Sequence, residues 1–296
     1  MQRMFLASVT IALAAVSAPV AVLAQGQQPT FATTKVTDNV YYFRYQGHQS
    51  MFIVTPAGVI ATDPISENRP AAEAYLAEIR KITQAPIRYV VYSHHDPDHI
   101  AGGKPFKDAG ATFVAHRFAK GNIAQMKRAD IVPVDEIVED RRTLSVGGTD
   151  LELTYLGRNH TEDMLLMRLP RERLIFTVDW IPVEGVLFQN MPGFYLPDLE
   201  EGLKKVLALD WDRNIPAHGS RLGTKADLQN LINYLADLSA EVKKAADAGK
   251  CPDAAKNEIK LPKWQYRALL HLLDNREVAS QVASARPQVR TSERPH

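Results

Sequence analysis

Apolar residues along much of the chain fall in short runs separated by turn residues, a pattern typical of β-strands. The first runs are Val40–Tyr45, Ser50–Thr55 and Val59–Thr62, and Pro56-Ala57-Gly58 marks a tight turn between the last two. Further strands are predicted at Ile87–Tyr92, Ala111–Ala115, Leu144–Val146, Leu151–Leu156, Met164–Leu169, Leu174–Val178 and Ile215–His218.

Helical spacing of apolar residues interrupts this pattern. Tyr75, Ile79 and Ile82 would share one face of a helix, which Ser66 or Asn68 can cap. Further helices are predicted at Leu199–Leu209, Leu228–Ala246 and Trp264–Leu273. Two β-rich halves, each followed by helices, predict an α/β fold in which two sheets pack face to face with helices outside.

The N-terminal residues differ in composition from the rest. Phe5–Val16 is apolar, Pro19 interrupts the apolar stretch, and Val22-Leu23-Ala24 has the small-x-small pattern of a cleavage site. This predicts a signal peptide cut after Ala24 and a periplasmic or secreted protein. A membrane anchor is the alternative, but the stretch is short for a bilayer, which needs ~20 residues. The expected organisation is a signal peptide at 1–24, a polar leader at 25–34, one folded domain at 35–285 and a disordered tail at 286–296.

Bulk composition narrows the possible partners. Lys and Arg number 35 and Asp and Glu 34, so no basic stripe is expected to bind nucleic acid. The single cysteine, Cys251, excludes an intramolecular disulfide and is expected near a helix end. We therefore expect a small-molecule substrate and no stable membrane anchor once the signal is cleaved.

Side chains able to bind metal are most concentrated in His94-His95-Asp96-Pro97-Asp98-His99, directly after a predicted buried strand. His and Asp are common ligands of zinc and also suit iron and manganese. Positions 94 and 96 project to the same side of an extended chain. Positions 98 and 99 follow Pro97, where the chain must turn, so one loop can serve two ions.

Further metal-competent residues follow later apolar runs. They are His160, Asp179 and His218, each just past such a run. A lone histidine at a strand end is more often structural, but an ordered set after the first motif predicts one shared site. Loops at one edge of a sheet can bring such residues together.

The ordered set resembles the metallo-β-lactamase superfamily from about Val40 to His218. The family motif is His-x-His-x-Asp-His, followed by a distant His, a bridging Asp or Cys, and a final His. The resemblance implies a four-layer αβ/βα sandwich with two metal ions at one edge. It implies a first metal held by His94, Asp96 and His160, a second held by Asp98, His99 and His218, and Asp179 as the bridge. An Asp at position 179 is similar to the glyoxalase II and lactonase branches.

One position departs from the family pattern. Asp96 stands where the family usually has His, and His95 is in the wrong register to replace it without distortion. Three carboxylates then oppose four positive charges from two divalent ions, so the ions are less Lewis acidic and harder metals become more competitive. Zinc is our first choice, with iron or manganese as the alternative.

The resemblance implies a metal-dependent hydrolase in which a metal-bound hydroxide attacks a lactone, ester, thioester or β-lactam-type amide. Asp98 is the candidate to orient that hydroxide, and Asp163 is a candidate partner for a ligand histidine. Candidate substrate contacts are His48, Phe188 and Tyr195, the last two in the long segment 182–197. The alternatives are an iron-dependent oxidoreductase of the same fold, similar to persulfide dioxygenases, and a non-catalytic metal-binding member of the family.

Overall fold

The computed structural model describes residues 31–66, 70–183, 185, 187, 193–219 and 221–264. Outside these ranges lie the predicted signal peptide, the start of the polar leader, the tail, Asn68, Phe188 and all but the first residue of the helix predicted at Trp264–Leu273.

The first sheet runs in sequence order from β1 to β7. Its strands are β1 (Phe31–Lys35), β2 (Val40–Tyr45), β3 (His48–Thr55), β4 (Gly58–Thr62), β5 (Ile87–Val91), β6 (Thr112–His116) and β7 (Glu136–Val138). Strands β1 to β4 pair antiparallel, and β4 to β7 pair parallel. The last residues assigned to the polar leader, from Phe31 onward, belong to β1.

The second sheet has the order β12-β11-β10-β9-β8. Its strands are β8 (Arg141–Val146), β9 (Thr149–Tyr155), β10 (Leu165–Leu169), β11 (Leu174–Val178) and β12 (Arg213–Pro216). Only β11 and β12 pair parallel. Their carboxyl ends therefore lie at the same edge.

Helices cover the outer faces of both sheets. They are α1 (Ala71–Ile82), α2 (Pro97–Ile100), α3 (Lys104–Asp108), α4 (Arg117–Met126), α5 (Leu196–Ala208), α6 (Lys225–Asp247) and α7 (Pro252–Glu258). Buried side chains of α1, α3 and α4 pack with one face of the first sheet, and those of α5 and α6 pack with the second. Cys251 precedes α7, at a helix end as expected. Within the described ranges, no helix is long and apolar enough to span a bilayer.

Alternating side chains of the first sheet divide between two cores. Val90 and Phe113 pack in the outer core beneath α1, α3 and α4, whereas their neighbours Val91 and Val114 pack in the core between the sheets. Successive side chains of a strand point to opposite faces, so strands buried on both faces are apolar throughout. The predicted four-layer αβ/βα sandwich is confirmed.

Some local predictions differ from the structure. Ser66 is not the cap of α1, because the helix begins at Ala71 after Pro70 and no side chain caps it. Helix α4 and strand β7 were not predicted. Gly121 and polar residues weaken the helical pattern of α4, and β7 has only 3 residues. Both elements depend on their neighbours in the fold rather than on a strong local pattern.

Two hydrogen bonds between the halves of the fold close the edge where the strand ends meet. Leu165 N donates to Ser93 O at 2.8 Å, and Gln49 N donates to Ala217 O at 2.8 Å. The first contact holds the loop after β5 against the start of β10. The second holds the start of β3 against the segment after β12, so residues from both sheets can form one site.

Gly102, just after α2, lies against the chain that follows β4. A Cβ added there would lie 2.2 Å from Pro64 O and 2.5 Å from Ala72 Cβ. We expect Gly102→Ala to lower the free energy of unfolding by about 2 kcal/mol, because the backbone must move to relieve the overlap. Urea unfolding measures this change.

Gly121→Ala is the matched control for Gly102→Ala. Gly121 lies inside α4, and an added Cβ meets no heavy atom within 4 Å. This variant should be more stable than the parent by about 0.5–1 kcal/mol, because alanine favours the helix interior. Changes of the same sign in the two variants would contradict the close approach at Gly102.

Candidate metal centre

The motif loop begins directly after β5 and turns at Pro97. Asp63, at the end of β4, is fully buried and accepts a hydrogen bond from Ser93 N at 2.7 Å. Ser93 Oγ in turn hydrogen-bonds to His94 Nδ1 at 2.7 Å. Asp96 is extended and Pro97 occupies the first turn of α2, where its fixed φ suits a helix. The expected turn after position 96 is therefore present.

A first group of ligand atoms comes from both halves of the fold. It comprises His94, Asp96 and His160, whose ligand atoms lie within 4.8 Å of one another. Asp96 Oδ2 is 3.1 Å from His160 Nε2 and 3.4 Å from His94 Nε2. Asp96 thus stands in this group with the two histidines, at the position where the family usually has a third.

A second group lies beside the first. It contains Asp98, His99 and His218 together with His48, and their ligand atoms also lie within 4.8 Å of one another. Asp98 Oδ2 is 3.5 Å from His99 Nε2. It accepts a hydrogen bond from His48 Nε2 at 3.0 Å.

Asp179 lies between the two groups at the end of β11. Its Oδ2 is 3.0 Å from His99 Nε2 and 3.5 Å from His94 Nε2. The same oxygen is 3.5 Å from His160 Nε2, while Oδ1 is 3.1 Å from His218 Nε2. One carboxylate therefore faces histidines of both groups, the arrangement expected of a bridging ligand.

Backbone strain accompanies the carboxylates at this edge. Asp63 has φ of 36°, and Val178, immediately before Asp179, has φ of 54°. Positive φ is rare for non-glycine residues and is a genuine outlier for a β-branched one. Such strain persists only where surrounding contacts determine the conformation, and it is common at functional sites. Here it sets the direction in which the two carboxylates leave their strands.

Electrostatics keep the carboxylates of the centre ionised. Burial favours a raised pKa for Asp98, but the hydrogen bond from His48 and the charge of His99 lower that pKa to about 2. Burial likewise opposes ionisation of Asp96 and Asp179, yet neighbouring histidines hold both pKa values well below the usual range. The centre therefore concentrates negative charge on three carboxylates.

Charge and burial also shift the pKa values of the histidines. Burial opposes the charged form of His99, but Asp179, Asp98 and Asp63 raise its pKa to about 10. His48 differs, because burial together with His218 and His99 lowers its pKa. A cation that replaces the histidine protons would meet the same carboxylates, as expected where metal binding releases protons.

The side chains fit divalent cations. Among the described residues, Nε2 of His94 and Nε2 of His99 are buried and lack an aligned hydrogen-bond partner, although carboxylate oxygens lie within 3.5 Å. Buried polar atoms are normally satisfied. Ring nitrogens that approach carboxylates without hydrogen-bond alignment are arranged to share an ion, and His and Asp are suitable ligands.

Asp163 contacts His95 rather than a predicted ligand. Its Oδ2 accepts from His95 Nδ1 at 2.6 Å, and its Oδ1 accepts from Thr161 Oγ1 at 2.5 Å. His95 Nε2 then lies 3.8 Å from Asp96 Oδ1. His95 is therefore bound to Asp163 and is not a member of either ligand group, as its register predicted, and Asp163 supports the loop through it.

Asp163→Asn is expected to weaken cation binding at the first group by about 10-fold, the lower end of the range for residues that support ligands. The variant loses the charge that holds His95 beside Asp96. Competition with a chelator measures the affinity. Asp150→Asn is the control, since Asp150 is exposed and bonds to Ser145 away from both ligand groups. Equal affinities for both variants and the parent would show that Asp163 has no such role.

The three residues predicted to contact substrate differ in their surroundings. His48 belongs to the second ligand group. The ring of Tyr195 is covered by the Arg158 guanidinium at 3.7 Å, so the chain itself occupies this face. Phe188 lies outside the described residues. Phe194 packs edge-on against His160 with ring centroids 4.7 Å apart.

Sequence reasoning missed three supporting groups. Asp63 holds Ser93, and Gly47 O accepts from His218 Nδ1 at 2.8 Å. Fixing Nδ1 in this way leaves Nε2 of His218 to face the carboxylates. An acidic residue directly after an apolar strand was a usable signal for Asp63. A backbone carbonyl leaves no signal in sequence, so Gly47 could not be found, and the His95–Asp163 pair required the fold.

Comparisons with known proteins identify the family of the chain. A family profile described as the metallo-beta-lactamase superfamily matches residues 45–194. The 2,4-dinitroanisole O-demethylase subunit alpha of Nocardioides sp. (strain JS1661) is 24% identical over 67% of this chain and 60% of its own length. The linear primary-alkylsulfatase of Pseudomonas sp. (strain ATCC 19151) is 23% identical over 71% of this chain. The chain spans only 49% of that second relative.

A solved structure shares the fold. The metallo-beta-lactamase from Pontibacter korlensis superposes with a TM-score of 0.61 at 19% identity, over 70% of this chain and 99% of that one. The structural match supports the four-layer sandwich, and the family profile covers the strands and loops that carry most of the ligand groups. The chain therefore belongs to the metallo-beta-lactamase superfamily and has the fold of its solved members.

Proposed function

We propose that this protein is an exported, metal-dependent hydrolase that cleaves a lactone, ester, thioester or β-lactam-type amide in a small organic substrate. The observation that carries the proposal is the pair of ligand groups facing the single carboxylate of Asp179. Such a pair suits two divalent cations, with zinc as our first choice and iron or manganese as the alternative.

Two bound cations would supply Lewis acidity and an activated water nucleophile. The side chains of the protein would hold the reacting groups in position and supply charge. Asp98 stays ionised and can accept a hydrogen bond from the attacking water, which orients it. Complete burial of His94 and His99 keeps bulk water from the floor of the centre, where charges interact more strongly. Asp179 holds the two groups at a fixed separation.

Several features support a small organic substrate. Phe194 forms an aromatic wall against His160, and Tyr195 follows it. The two curated relatives are named for 2,4-dinitroanisole and for linear primary alkylsulfates, which are small organic molecules. The net charge of +1 gives no support for a nucleic acid substrate. The apolar stretch and small-x-small pattern of residues 1–24 support export to the periplasm or medium.

One observation favours a second function. Asp96 joins His94 and His160, so the first group is a set of two histidines and one carboxylate. This is the ligand set of many non-haem iron oxygenases. An iron-dependent oxidoreductase is therefore the rival proposal, and its expected properties are bound iron and oxygen consumption.

Elemental analysis and a substrate panel test the proposal. The chain without residues 1–24 is purified, its zinc, iron and manganese are measured, and lactones, esters, thioesters and β-lactams are assayed. About two zinc ions per chain and hydrolysis that a chelator abolishes would support it. Bound iron with oxygen consumption would favour the oxidoreductase. Two bound cations without turnover of any substrate would favour a non-catalytic role.

A further inference from the structure

We propose that His48 is a direct ligand of the second metal site, through Nε2, in addition to Asp98, His99 and His218. The inference rests on the proposed function in that it presupposes bound divalent cations. It changes the role expected for His48 from substrate contact to ligand. It also makes the second site richer in nitrogen than the first.

The backbone around His48 is held on both sides. Gly47 O accepts from His218 Nδ1 at 2.8 Å. Gln49 N donates to Ala217 O at 2.8 Å, and Gln49 Nε2 donates to Pro216 O at 3.0 Å. The β2–β3 hairpin is therefore hydrogen-bonded to the segment after β12 at the residues that flank His48 and His218. A ligand held in this way needs little ordering when a cation binds.

The side chain of His48 enters the ligand group itself. Nε2 is 3.0 Å from Asp98 Oδ2, and the ring lies 4.5 Å from that of His218 and 5.6 Å from that of His99, measured between centroids. Bonds of about 2.0–2.2 Å from one zinc ion place neighbouring tetrahedral ligands roughly 3.4 Å apart. The hydrogen-bonded atoms of His48 and Asp98, 3.0 Å apart, are already close to that separation, so a cation could replace the shared proton with little movement of either side chain.

The two groups then differ in composition. The first has two histidines and Asp96, and the second has three histidines and Asp98, with Asp179 beside both. Imidazole suits zinc, and carboxylate oxygen suits harder cations. The second site should therefore hold zinc more tightly, while the first is the more exchangeable and the more open to iron or manganese.

A double-mutant cycle separates a ligand from a residue that only positions Asp98. His48→Ala, Asp98→Ala and the double variant are titrated with Co²⁺, and binding of each of two cations is followed by absorption. A direct ligand predicts that His48→Ala weakens one of the two cations more than 100-fold, beyond the roughly 10–100-fold of a supporting residue. It also predicts that the double variant binds this cation more weakly than Asp98→Ala does.

Binding by the double variant equal to that of Asp98→Ala would overturn the proposal, since His48 would then act only through Asp98. Unchanged Co²⁺ binding by His48→Ala would also overturn it. His116→Gln is the control for loss of a histidine elsewhere, because His116 stacks on Tyr155 outside both groups. His48→Gln is a more conservative substitution at the same position. Near-ultraviolet circular dichroism of each variant shows whether weaker binding comes from a folding defect.

X-ray absorption of the zinc-loaded protein gives an independent readout. The number of imidazole ligands per zinc should fall in His48→Ala relative to the parent. An unchanged number at full occupancy would overturn the proposal. None of these measurements depends on turnover, so absence of hydrolysis would count against the proposed function while leaving the role of His48 decided by binding.

Discussion

Asp179→Ala is expected to reduce the bound cations from two per chain to one or none and to lower kcat/KM by about 10³-fold or more. The carboxylate faces histidines of both ligand groups at 3.0–3.5 Å, and no other described residue does so. Lewis-acid stabilisation is worth several kcal/mol, and about 4 kcal/mol corresponds to about 10³ in rate. Elemental analysis after dialysis and steady-state kinetics on a substrate found by the panel measure the two effects.

Asp212→Ala is the control for Asp179→Ala. Asp212 lies just before β12 and pairs with Arg173 at the surface, so its loss should leave cation content and kcat/KM unchanged. Two cations per chain and near-parent activity in Asp179→Ala would show that Asp179 does not bridge the groups. Asp179→Asn keeps the shape without the charge, and intermediate cation binding by it would assign the main effect to charge.

The metal-free form of Asp179→Ala should also be less stable than the metal-free parent. His99 is fully buried, and Asp179 is the largest charge contribution that raises its pKa. Removing one partner of a buried pair costs about 3–5 kcal/mol, because the other charge is left without compensation. The stabilisation is fully present below the ordinary histidine pKa of about 6.5 and is lost as pH rises from there through about 10. Urea unfolding with chelator at pH 7 measures the difference.

The sequence predicted most strands because their patterns are local. The bounds of β2 and β11 match the prediction, and the alternation of Val90 and Val91 between two cores is the direct result of strand geometry. Helix α4 was not predicted because its apolar positions are few and Gly121 lies among them. Propensity is a weak guide where packing against the sheet decides.

The ligand groups were predictable for a related reason. Positions 94 to 99 are adjacent in sequence, and His160, Asp179 and His218 each follow a strand or its loop, so strand ends brought them together. His48 illustrates the limit. Its place depends on contacts between the β2–β3 hairpin and residues after β12, which lie 171 positions away for Gly47 and His218. No local pattern specifies such a contact, just as none pairs His95 with Asp163.

Asp96→His is expected to shift metal preference toward zinc by about 10-fold relative to iron, since it replaces an oxygen ligand by imidazole. Asp96 Oδ2 already lies 3.1 Å from His160 Nε2, so position 96 contributes to the first group. The side chain of Asp96 is 35% exposed, which leaves room on the solvent side for the larger ring. Competition between Zn²⁺ and Fe²⁺ under anaerobic conditions measures the preference.

The same variant should hydrolyse substrate at lower pH. Two divalent ions facing three carboxylates leave one positive charge, and replacing Asp96 leaves two, so the ions become more Lewis acidic. A unit charge about 4 Å away contributes roughly 4 kcal/mol at an effective dielectric constant of about 20, enough to lower the acidic limb of the pH profile by about one unit or more. A zinc-loaded variant with an unchanged profile would contradict this reasoning. Asp96→Asn, neutral but similar in shape, should shift the profile in the same direction with weaker zinc binding, because charge sets the profile and imidazole sets the affinity.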